Sequence, residues 1–201
     1  MTSMSFTPEW LEACRACSRC SLSAQRQQVV VGRGNPKAKA MVIGEAPGAS
    51  EDAQGLPFVG RSGQLLDHLL VQAGLSPDQD LFITNVVKCR PPDNRKPSAK
   101  ELSACRPWIE EQIASVDPAV VILVGATAVS AMLGRKQAMR SLRGVWIEQD
   151  QRSWMPIFHP SYLLRNPSRD PGKPVSLTLE DLRQVRDRLC QCDSASGAPK
   201  P

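Results

Sequence analysis

Short runs of consecutive apolar residues alternate along the chain with longer stretches in which apolar residues recur every three or four positions. Runs of the first kind are typical of buried strands, and the second spacing is typical of helices packed through one face. The runs predict four strands, at 39–43, 81–87, 118–125 and 154–161, the last leading into a loop. Because strands that alternate with helices form a mostly parallel sheet covered on both faces, the sequence predicts an α/β fold.

Capping signals delimit the predicted helices. Thr7 and Pro8 predict the start of a short helix that runs to Cys14, and Ser98 followed by Glu101 resembles a capping box at the start of another. Gly74 and Gly134 are expected to end two more helices. Two helical faces are read from the spacing of Leu65, Leu66, Leu69 and Leu70, and of Leu102, Cys105, Ile109 and Ile113. A final helix is predicted at 177–190 and a disordered tail at 191–201, so residues 1–190 are expected to form a single domain.

Three polar residues and one glycine stand at the ends of the predicted strands. Glu45, Asn85, Gly125 and His159 each stand at or just beyond the end of one apolar run. In open α/β sheets, ligands bind in the crevice beyond the carboxyl ends of the strands. The sequence therefore predicts a site in which Glu45, Asn85 and His159 converge.

Composition narrows the class of protein. A chain of 201 residues with 41% hydrophobic residues can bury the core of one domain. No apolar run is long enough to cross a bilayer, and the N-terminus lacks a signal-peptide pattern, so we expect a cytoplasmic protein with no membrane partner. The net charge of +5 is compatible with a polyanionic partner and equally with an ordinary solvated surface.

Seven cysteines in a chain without a signal peptide argue for metal or redox chemistry rather than disulfides. Cys14, Cys17 and Cys20 repeat a C-x2-C spacing in a polar, basic turn, and Cys89 and Cys105 lie downstream. Four thiolates can hold zinc or a [4Fe–4S] cluster, and the spacing does not choose between them. Cys105, like Cys190, could instead be a small buried hydrophobic residue, and Cys190 and Cys192 are read as bystanders.

Four motifs in order, preceded by the cysteine pair, carry a resemblance to a known family. They are GEAPG at 44–48, PFVGRSG at 57–63, ITNVVKCRPPDNRKP at 83–97 and HPSYLLRNPSR at 159–169. From about Cys17 to Leu189, the chain resembles the family 4 uracil-DNA glycosylases, the iron–sulfur branch of that superfamily. The resemblance implies a three-layer α/β/α sandwich around a central, mostly parallel four-stranded sheet. It also implies a monofunctional DNA N-glycosylase that releases uracil, leaves an abasic site and so begins base-excision repair.

The resemblance also implies a [4Fe–4S] cluster. Its four ligands would be Cys17, Cys20, Cys89 and Cys105, because the family pattern has C-x2-C-x-L before the GRGNP turn. Cys14 is then spare. The cluster would have a structural role close to the DNA-binding face, since hydrolysis needs no electron transfer.

The chemistry assigns expected roles to individual residues. Uracil release builds negative charge on the base and positive charge on the sugar, so the enzyme must read the flipped base and stabilise the anion. Phe58 is expected to stack on the base, Asn85 to bond its N3–O4 edge, and His159 to donate to O2. Core packing for Phe58 and an ordinary turn role for Asn85 are the alternative interpretations.

The attacking water is harder to assign. Family 1 enzymes hold it with an aspartate at the position that is Ala46 here, so we expect Glu45 to lie near the water or to stabilise the sugar cation. The resemblance matches Glu51 to a carboxylate that closes the pocket near uracil C5.

The partner implied is uracil-containing DNA, single- or double-stranded, bound by a monomer. Leu163 is expected to be an apolar wedge that fills the vacated stack. Phosphates are expected at the helix start and at the last loop, on Gly60, Arg61, Ser62, Gly63, Ser161 and Arg165.

Other functions remain open from the sequence. The chain could bind uracil in DNA without releasing it, could accept other bases such as hypoxanthine, or could be a zinc-stabilised nucleotide-binding module. A covalently trapping branch carries GEQPG and an additional His in a basic loop; this chain has Ala46 and no His between residues 89 and 105.

Overall fold

A computed structural model describes residues 6–196 of the chain, with side chains described up to residue 191. Within this range eight α-helices lie at Pro8–Arg15 (α1), Ala49–Gln54 (α2), Arg61–Ala73 (α3), Ala99–Val116 (α4), Ala126–Leu133 (α5), Met139–Leu142 (α6), Pro160–Arg165 (α7) and Pro174–Ser196 (α8). Six strands lie at Arg33–Gly34 (β1), Ala40–Gly44 (β2), Leu81–Asn85 (β3), Val120–Val124 (β4), Ile147–Gln149 (β5) and Arg152–Ile157 (β6).

The described strands form one sheet in the order β1-β3-β2-β4-β6-β5. The four inner strands are parallel, and β1 and β5 pair antiparallel at the two edges. The predicted mostly parallel α/β sheet is confirmed, but it has six strands rather than four. The two added strands have two and three residues, too short to produce a hydrophobic period.

Two apolar layers cover the sheet, because alternate residues of each strand point to opposite faces. Met41, Ile43 and Leu123 pack in the core that α1, α4 and α5 close. Val42 and Ile122 pack on the other face, against apolar residues of α3, α7 and α8. This is the three-layer α/β/α arrangement.

The predicted caps determine where the helices begin and end. The Thr7 side chain accepts a hydrogen bond from Trp10 N, and Ser98 and Glu101 form a reciprocal capping box at the start of α4. Gly74 and Gly134 end α3 and α5 in the left-handed conformation. The last helix continues to Ser196, past the point where the tail was predicted; residues 197–201 and the Cys192 side chain lie outside the described part.

No helix in residues 6–196 combines the length and the apolar character needed to cross a membrane.

Candidate active site

The carboxyl ends of the four parallel strands open into one pocket, the strand-end pocket, with an empty volume of about 1600 Å³ that includes its open mouth. The strand order places Asn85, Glu45, Gly125 and His159 beside successive strands β3, β2, β4 and β6 along this edge. Its lining is formed by Glu45, Ala46, Pro47, Gly48, Glu51, Phe58, Ser62, Gly63, Asn85, Pro91, Asn94, Arg95, Lys96, Gly125, Ala126, Thr127, His159, Ser161, Tyr162 and Arg165.

Asn85 contributes a buried polar atom that has no protein partner. The residue is 2% exposed, and its Oδ1 accepts no hydrogen bond from the described residues. The Phe58 ring lies next to the Asn85 amide, and both pack against Gly44. A Cβ atom added to Gly44 would stand only 2.4 Å from Asn85 Oδ1 and from Phe58 Cζ. Gly44 therefore lets an aromatic ring and an amide approach each other across the strand end. Burying a carbonyl oxygen without a hydrogen-bond partner costs about 1–3 kcal/mol of folding stability. Such an atom in a pocket indicates a binding site for a ligand that donates a hydrogen bond to it.

The turn that carries Phe58 is held in an unusual conformation. Phe58 has φ +55°, which costs a bulky residue on the order of 1–3 kcal/mol. Glu51 stabilises this turn, since its Oε1 accepts from Val59 N (3.0 Å) and Gly60 N (2.8 Å) while its Oε2 accepts from Gly48 N (3.1 Å). Glu51 lines the pocket as predicted, but both its carboxylate oxygens already bond the two turns that form the pocket wall.

Gly63 makes the same turn possible by close packing. A Cβ there would lie 2.0 Å from Phe58 O and 2.5 Å from Phe58 Cα. We expect Gly63→Ala to destabilise the protein by about 1–3 kcal/mol, because overpacking displaces backbone that cannot rotate away. Thermal unfolding of Gly63→Ala and of Ser62→Ala, from the same helical turn, would test this. A Gly63→Ala protein as stable as Ser62→Ala would contradict the packing argument.

His159 caps α7 and is oriented by the residue two positions later. Its Nδ1 accepts from Ser161 N (3.1 Å) and lies 2.8 Å from Ser161 Oγ. A neutral imidazole whose Nδ1 accepts carries its proton on Nε2, so Nε2–H remains free to donate. Burial lowers the pKa of His159 below its usual 6.5; Glu45 opposes this shift and Arg165 adds to it. His159 is therefore a neutral donor at pH 7.

Glu45 and Ala46 lie on the turn that follows β2. Both are half-buried and line the pocket, and the main-chain oxygen of Glu45 accepts from Val87 N (3.1 Å), which fixes the turn after β2. The Ala46 methyl cannot hold a water molecule by hydrogen bonding. Glu45 is thus the carboxylate on this turn that can reach the pocket without already being bonded to backbone amides.

The residues predicted to contact DNA are distributed unevenly. Ser62, Gly63, Ser161 and Arg165 line the pocket, whereas Gly60 and Arg61 do not. The Gly60 N–H already donates to Glu51, and Arg61 is exposed at the surface. The Ser161 side chain bonds His159, so its first role in the structure is to orient the imidazole.

The prediction that Leu163 is an exposed wedge is wrong in this structure. Residues 160–165 form helix α7 rather than a loop, and Leu163 is fully buried against the α3–α8 layer. Its neighbour Leu164 points outward and is 38% exposed. Pro160 at the first helical position and the His159 cap explain why this segment is helical.

A second cavity, the cysteine cavity, lies beside the strand-end pocket. The four cysteines predicted as ligands, Cys17, Cys20, Cys89 and Cys105, line it together, in an empty volume of about 320 Å³ that includes its opening. Cys14 is also there, fully buried, although the sequence left it unassigned. Among the described residues, no three His, Cys, Asp or Glu side chains stand in the arrangement that closes around a single metal ion.

Three sulfurs of this cavity receive hydrogen bonds from nitrogen donors. Trp108 Nε1 donates to Cys17 Sγ (3.2 Å), Arg26 Nη1 to Cys89 Sγ (3.4 Å) and the Lys88 main-chain N–H to Cys105 Sγ (3.3 Å). N–H donors aimed at sulfur stabilise the thiolate form that metals and clusters bind. For the free thiols, burial raises the pKa of Cys14 to about 12 and that of Cys89 to about 11. Sulfur ligands around an open volume, with N–H donors behind them, fit an iron–sulfur cluster.

Lys88 connects the two cavities. Although lysine is usually a surface residue, Lys88 is fully buried and lines the cysteine cavity. Its Nζ donates to Asn85 O (2.6 Å), Thr84 Oγ1 (2.8 Å) and Gln112 Oε1 (2.5 Å). Burial lowers the pKa of Lys88 to about 8, against an opposing effect of the cysteine thiols. Lys88, a lining residue of the cysteine cavity, therefore fixes the backbone carbonyl of Asn85, which lines the strand-end pocket.

An ion pair between the exposed Arg95 and the buried Glu101 holds the loop between the cavities. Arg95 donates two hydrogen bonds to Glu101, from Nη1 to Oε2 (2.8 Å) and from Nη2 to Oε1 (2.7 Å). Glu101 also accepts from Ser98 N (2.7 Å) and from Ser21 Oγ (3.4 Å), next to Cys20. These contacts tie the cysteine segment and the pocket rim to one carboxylate.

This ion pair predicts acid sensitivity. The Arg95 guanidinium, followed by the capping bonds at Ser98, lowers the pKa of Glu101 from 4.5 to about 2. Because the folded pKa is depressed, the stabilisation is complete above pH 4.5 and is lost as the pH falls towards 2. Glu101→Gln should lower the unfolding midpoint at pH 7, and its difference from the wild type should shrink below pH 4.5. A difference that stays constant down to pH 2.5 would contradict the assignment.

Sequence reasoning missed part of the pocket rim. Ala126 and Thr127 line it because α5 begins directly after β4 at Gly125, which has φ +85° and packs on His159. The signal was present as a glycine between an apolar strand and a helix, and Gly125 was noted, but its neighbours were not. The loop residue Asn94 was missed as well.

The sequence of the chain is similar to those of known uracil-DNA glycosylases. Residues 31–183 match the model of the uracil DNA glycosylase superfamily. A type-4 uracil-DNA glycosylase of Thermotoga maritima is 42% identical over 177 residues, covering 87% of this chain and 90% of that protein. One from Saccharolobus solfataricus is 39% identical over 185 residues, covering 87% and 82%. A type-5 enzyme of Thermus thermophilus is 36% identical over 153 residues, covering 61% and 68%. The chain belongs to the uracil DNA glycosylase superfamily, in its type-4 branch.

Proposed function

We propose that the protein is a uracil-DNA glycosylase that hydrolyses the N-glycosidic bond of flipped-out deoxyuridine and leaves an abasic site for base-excision repair. The observation that carries the proposal is the unpartnered Oδ1 of Asn85, buried beside Phe58 in the strand-end pocket with the free Nε2 edge of His159 in the same pocket. Family membership supports it.

Base recognition follows from the shape and polarity of that corner. Phe58 offers an aromatic surface for stacking, which a base flipped out of duplex DNA needs in place of its neighbours. The Asn85 amide can accept from N3–H of uracil and donate to its O4. Cytosine presents a bare nitrogen and an amino group at the same places, so two mismatched contacts would exclude it.

Catalysis rests on charge that develops as the bond breaks. Electron density moves into the uracil ring and accumulates on O2, where His159 Nε2–H can donate. A donor held in place before the reaction costs nothing to reorient in the transition state. The neutral imidazole of His159 stabilises the uracil anion by donating a hydrogen bond from Nε2–H, and the proton stays on the imidazole.

The attacking water is assigned to the turn after β2. Glu45 can orient a water or stabilise the cationic sugar by its negative charge, and the Ala46 methyl narrows the space beside it. Glu51 acts differently, by holding the Val59 and Gly48 turns so that the pocket closes near uracil C5. A methyl group at C5, as in thymine, would meet this wall.

The DNA strand is gripped at both rims of the pocket. The first-turn N–H groups of Ser62 and Gly63 have no partner inside α3 by helix geometry, and Arg165 adds a cation at the other rim. Leu164, the exposed apolar residue on α7, replaces Leu163 as the proposed wedge.

We infer that a [4Fe–4S] cluster is held by Cys17, Cys20, Cys89 and Cys105, which line the cysteine cavity together. The nitrogen donors described above bond the sulfurs of three of them, Cys17, Cys89 and Cys105. When bound, the cluster would cross-link the N-terminal segment to the loop that follows β3 and to α4. Arg26 strengthens the same link, since it also donates to Cys17 O (2.6 Å) and Arg15 O (3.1 Å).

The ligand choice predicts a difference between neighbouring cysteines. Cys17→Ser should purify with little iron and without the brown absorbance of the wild type, whereas Cys14→Ser should retain both, because Cys14 would only pack beside the cluster. Iron per chain, measured after anaerobic purification, would test this. Iron loss in Cys14→Ser with retention in Cys17→Ser would reverse the assignment, and colourless wild-type protein that contains zinc would refute the cluster.

Activity is tested with single-uracil oligonucleotides and an alkali step that cleaves abasic sites. We expect strand cleavage at uracil, and none with thymine or cytosine at the same position. Binding without cleavage would refute the enzyme function in favour of a uracil-binding protein. Equal cleavage at hypoxanthine would show a broader base range than Asn85 implies.

A further inference from the structure

A second groove continues from the strand-end pocket along helix α5. We call it the cationic groove and define it by Lys96, Ala126, Thr127, Val129, Arg135 and Lys136. It shares Lys96, Ala126 and Thr127 with the pocket, so the two depressions are continuous across that rim. Its empty volume is about 790 Å³, including its opening.

The charge of the groove has one sign. Lys96, Arg135 and Lys136 are exposed, none of them forms an ion pair with a described residue, and no Asp or Glu lines the groove. Elsewhere in residues 6–196, seven arginines are paired with carboxylates: Arg33, Arg95, Arg106, Arg143, Arg152, Arg186 and Arg188. The groove is therefore a place where cations remain available to an external anion.

The floor of the groove is rigid and apolar. Val129 is fully buried in the layer that α5 closes, and Leu142, at the end of α6, is 6% exposed. A groove with cations on its rim can follow the phosphate backbone of a nucleic-acid strand. The other rim of the pocket, with Ser161 and Arg165, lies on α7, which packs on the opposite face of the sheet from α5.

We propose that the cationic groove binds the phosphates of the DNA strand that flanks the flipped nucleotide, on the side away from α7. The inference rests on the proposed function, because a strand held at α7 with one nucleotide in the pocket must leave across the opposite rim. Arg135 and Lys136 then contact backbone phosphates beyond the flipped nucleotide, and they add affinity without taking part in bond cleavage.

The double variant Arg135→Ser, Lys136→Ser tests this surface. Each phosphate contact contributes roughly 0.7 to 0.9 to the slope of log affinity against log salt, so the slope should fall by about 1.4 to 1.8. Affinity for a single-uracil oligonucleotide near physiological salt should fall by about tenfold, while the single-turnover rate at saturating enzyme stays unchanged. Shortening the oligonucleotide on one side of the uracil should weaken wild-type binding and leave the double variant unaffected.

A matched control removes the same charge elsewhere. Lys37→Ser, Arg183→Ser changes two exposed cations, one at the amino ends of the strands and one on α8, and should leave the salt slope as in the wild type. A double groove variant with the wild-type slope and affinity would overturn the groove while leaving the proposed activity intact. A wild-type protein that releases no uracil would instead refute the proposed function, whatever the slope.

Discussion

Replacing His159 with alanine is expected to slow uracil release by about two to three orders of magnitude with little change in DNA affinity. The reason is that a single preorganised donor to a developing anion typically contributes that much to the rate. Ground-state uracil gains less from the same bond, so the loss falls on the chemical step rather than on binding.

Two further observations make the His159 experiment specific. Ser161→Ala removes the hydroxyl at 2.8 Å but keeps the main-chain N–H that fixes the tautomer, so its rate should fall far less. The wild-type rate should also stay nearly level as the pH is lowered from 8 to 7, because burial lowers the pKa of His159 below its usual 6.5 and the imidazole stays mainly neutral over this range. Single-turnover rates with excess enzyme give both results. An unchanged rate in His159→Ala would remove the residue from the mechanism.

Replacing Asn85 with leucine is expected to slow uracil release by about a hundredfold or more, while the folded protein keeps or gains stability. The side chains have the same branching, but leucine cannot read the uracil edge. In the wild type the buried Oδ1 is unpaired, and removing it eliminates a desolvation cost of about 1–3 kcal/mol.

The neighbouring residue, Thr84, provides a matched control, because its replacement is expected to lower the stability of the protein. Thr84 is also buried on β3, but its Oγ1 donates to Val31 O (2.7 Å) and accepts from Lys88 Nζ. Thr84→Val should therefore cost about 1–3 kcal/mol of stability and affect release less than Asn85→Leu. Thermal unfolding and single-turnover rates on both variants give the comparison. A strongly destabilised Asn85→Leu protein would show that Asn85 has a structural role instead.

The parts of the fold that were predictable are those with a repeated pattern or a cap. Buried strands, the Gly74 stop and the Ser98–Glu101 box each leave a local signature. The edge strands do not, because β1 and β5 are too short, and Arg33 in β1 gives no apolar signal. The convergence of Asn85, Glu45 and His159 was predictable because parallel strands present their carboxyl ends together.

What could not be predicted depends on side-chain direction and long-range contact. Leu163 and Leu164 are adjacent apolar residues, and only the formation of α7 decides which of them is buried. Lys88 looks like a surface residue until Thr84 and Gln112 are seen around its amine. The N–H groups that Glu51 accepts come partly from the Val59 turn, which sequence spacing alone does not bring to it.

The central claim, that the pocket hydrolyses deoxyuridine rather than merely binding it, is tested most directly by mass spectrometry of one reaction. Wild-type protein is incubated with a single-uracil oligonucleotide, and DNA, small molecules and protein are weighed without alkali treatment. We predict that the DNA loses uracil and gains water, that free uracil appears in equal amount, and that the protein mass is unchanged. Intact DNA, or a protein that gains the mass of the DNA, would contradict the account.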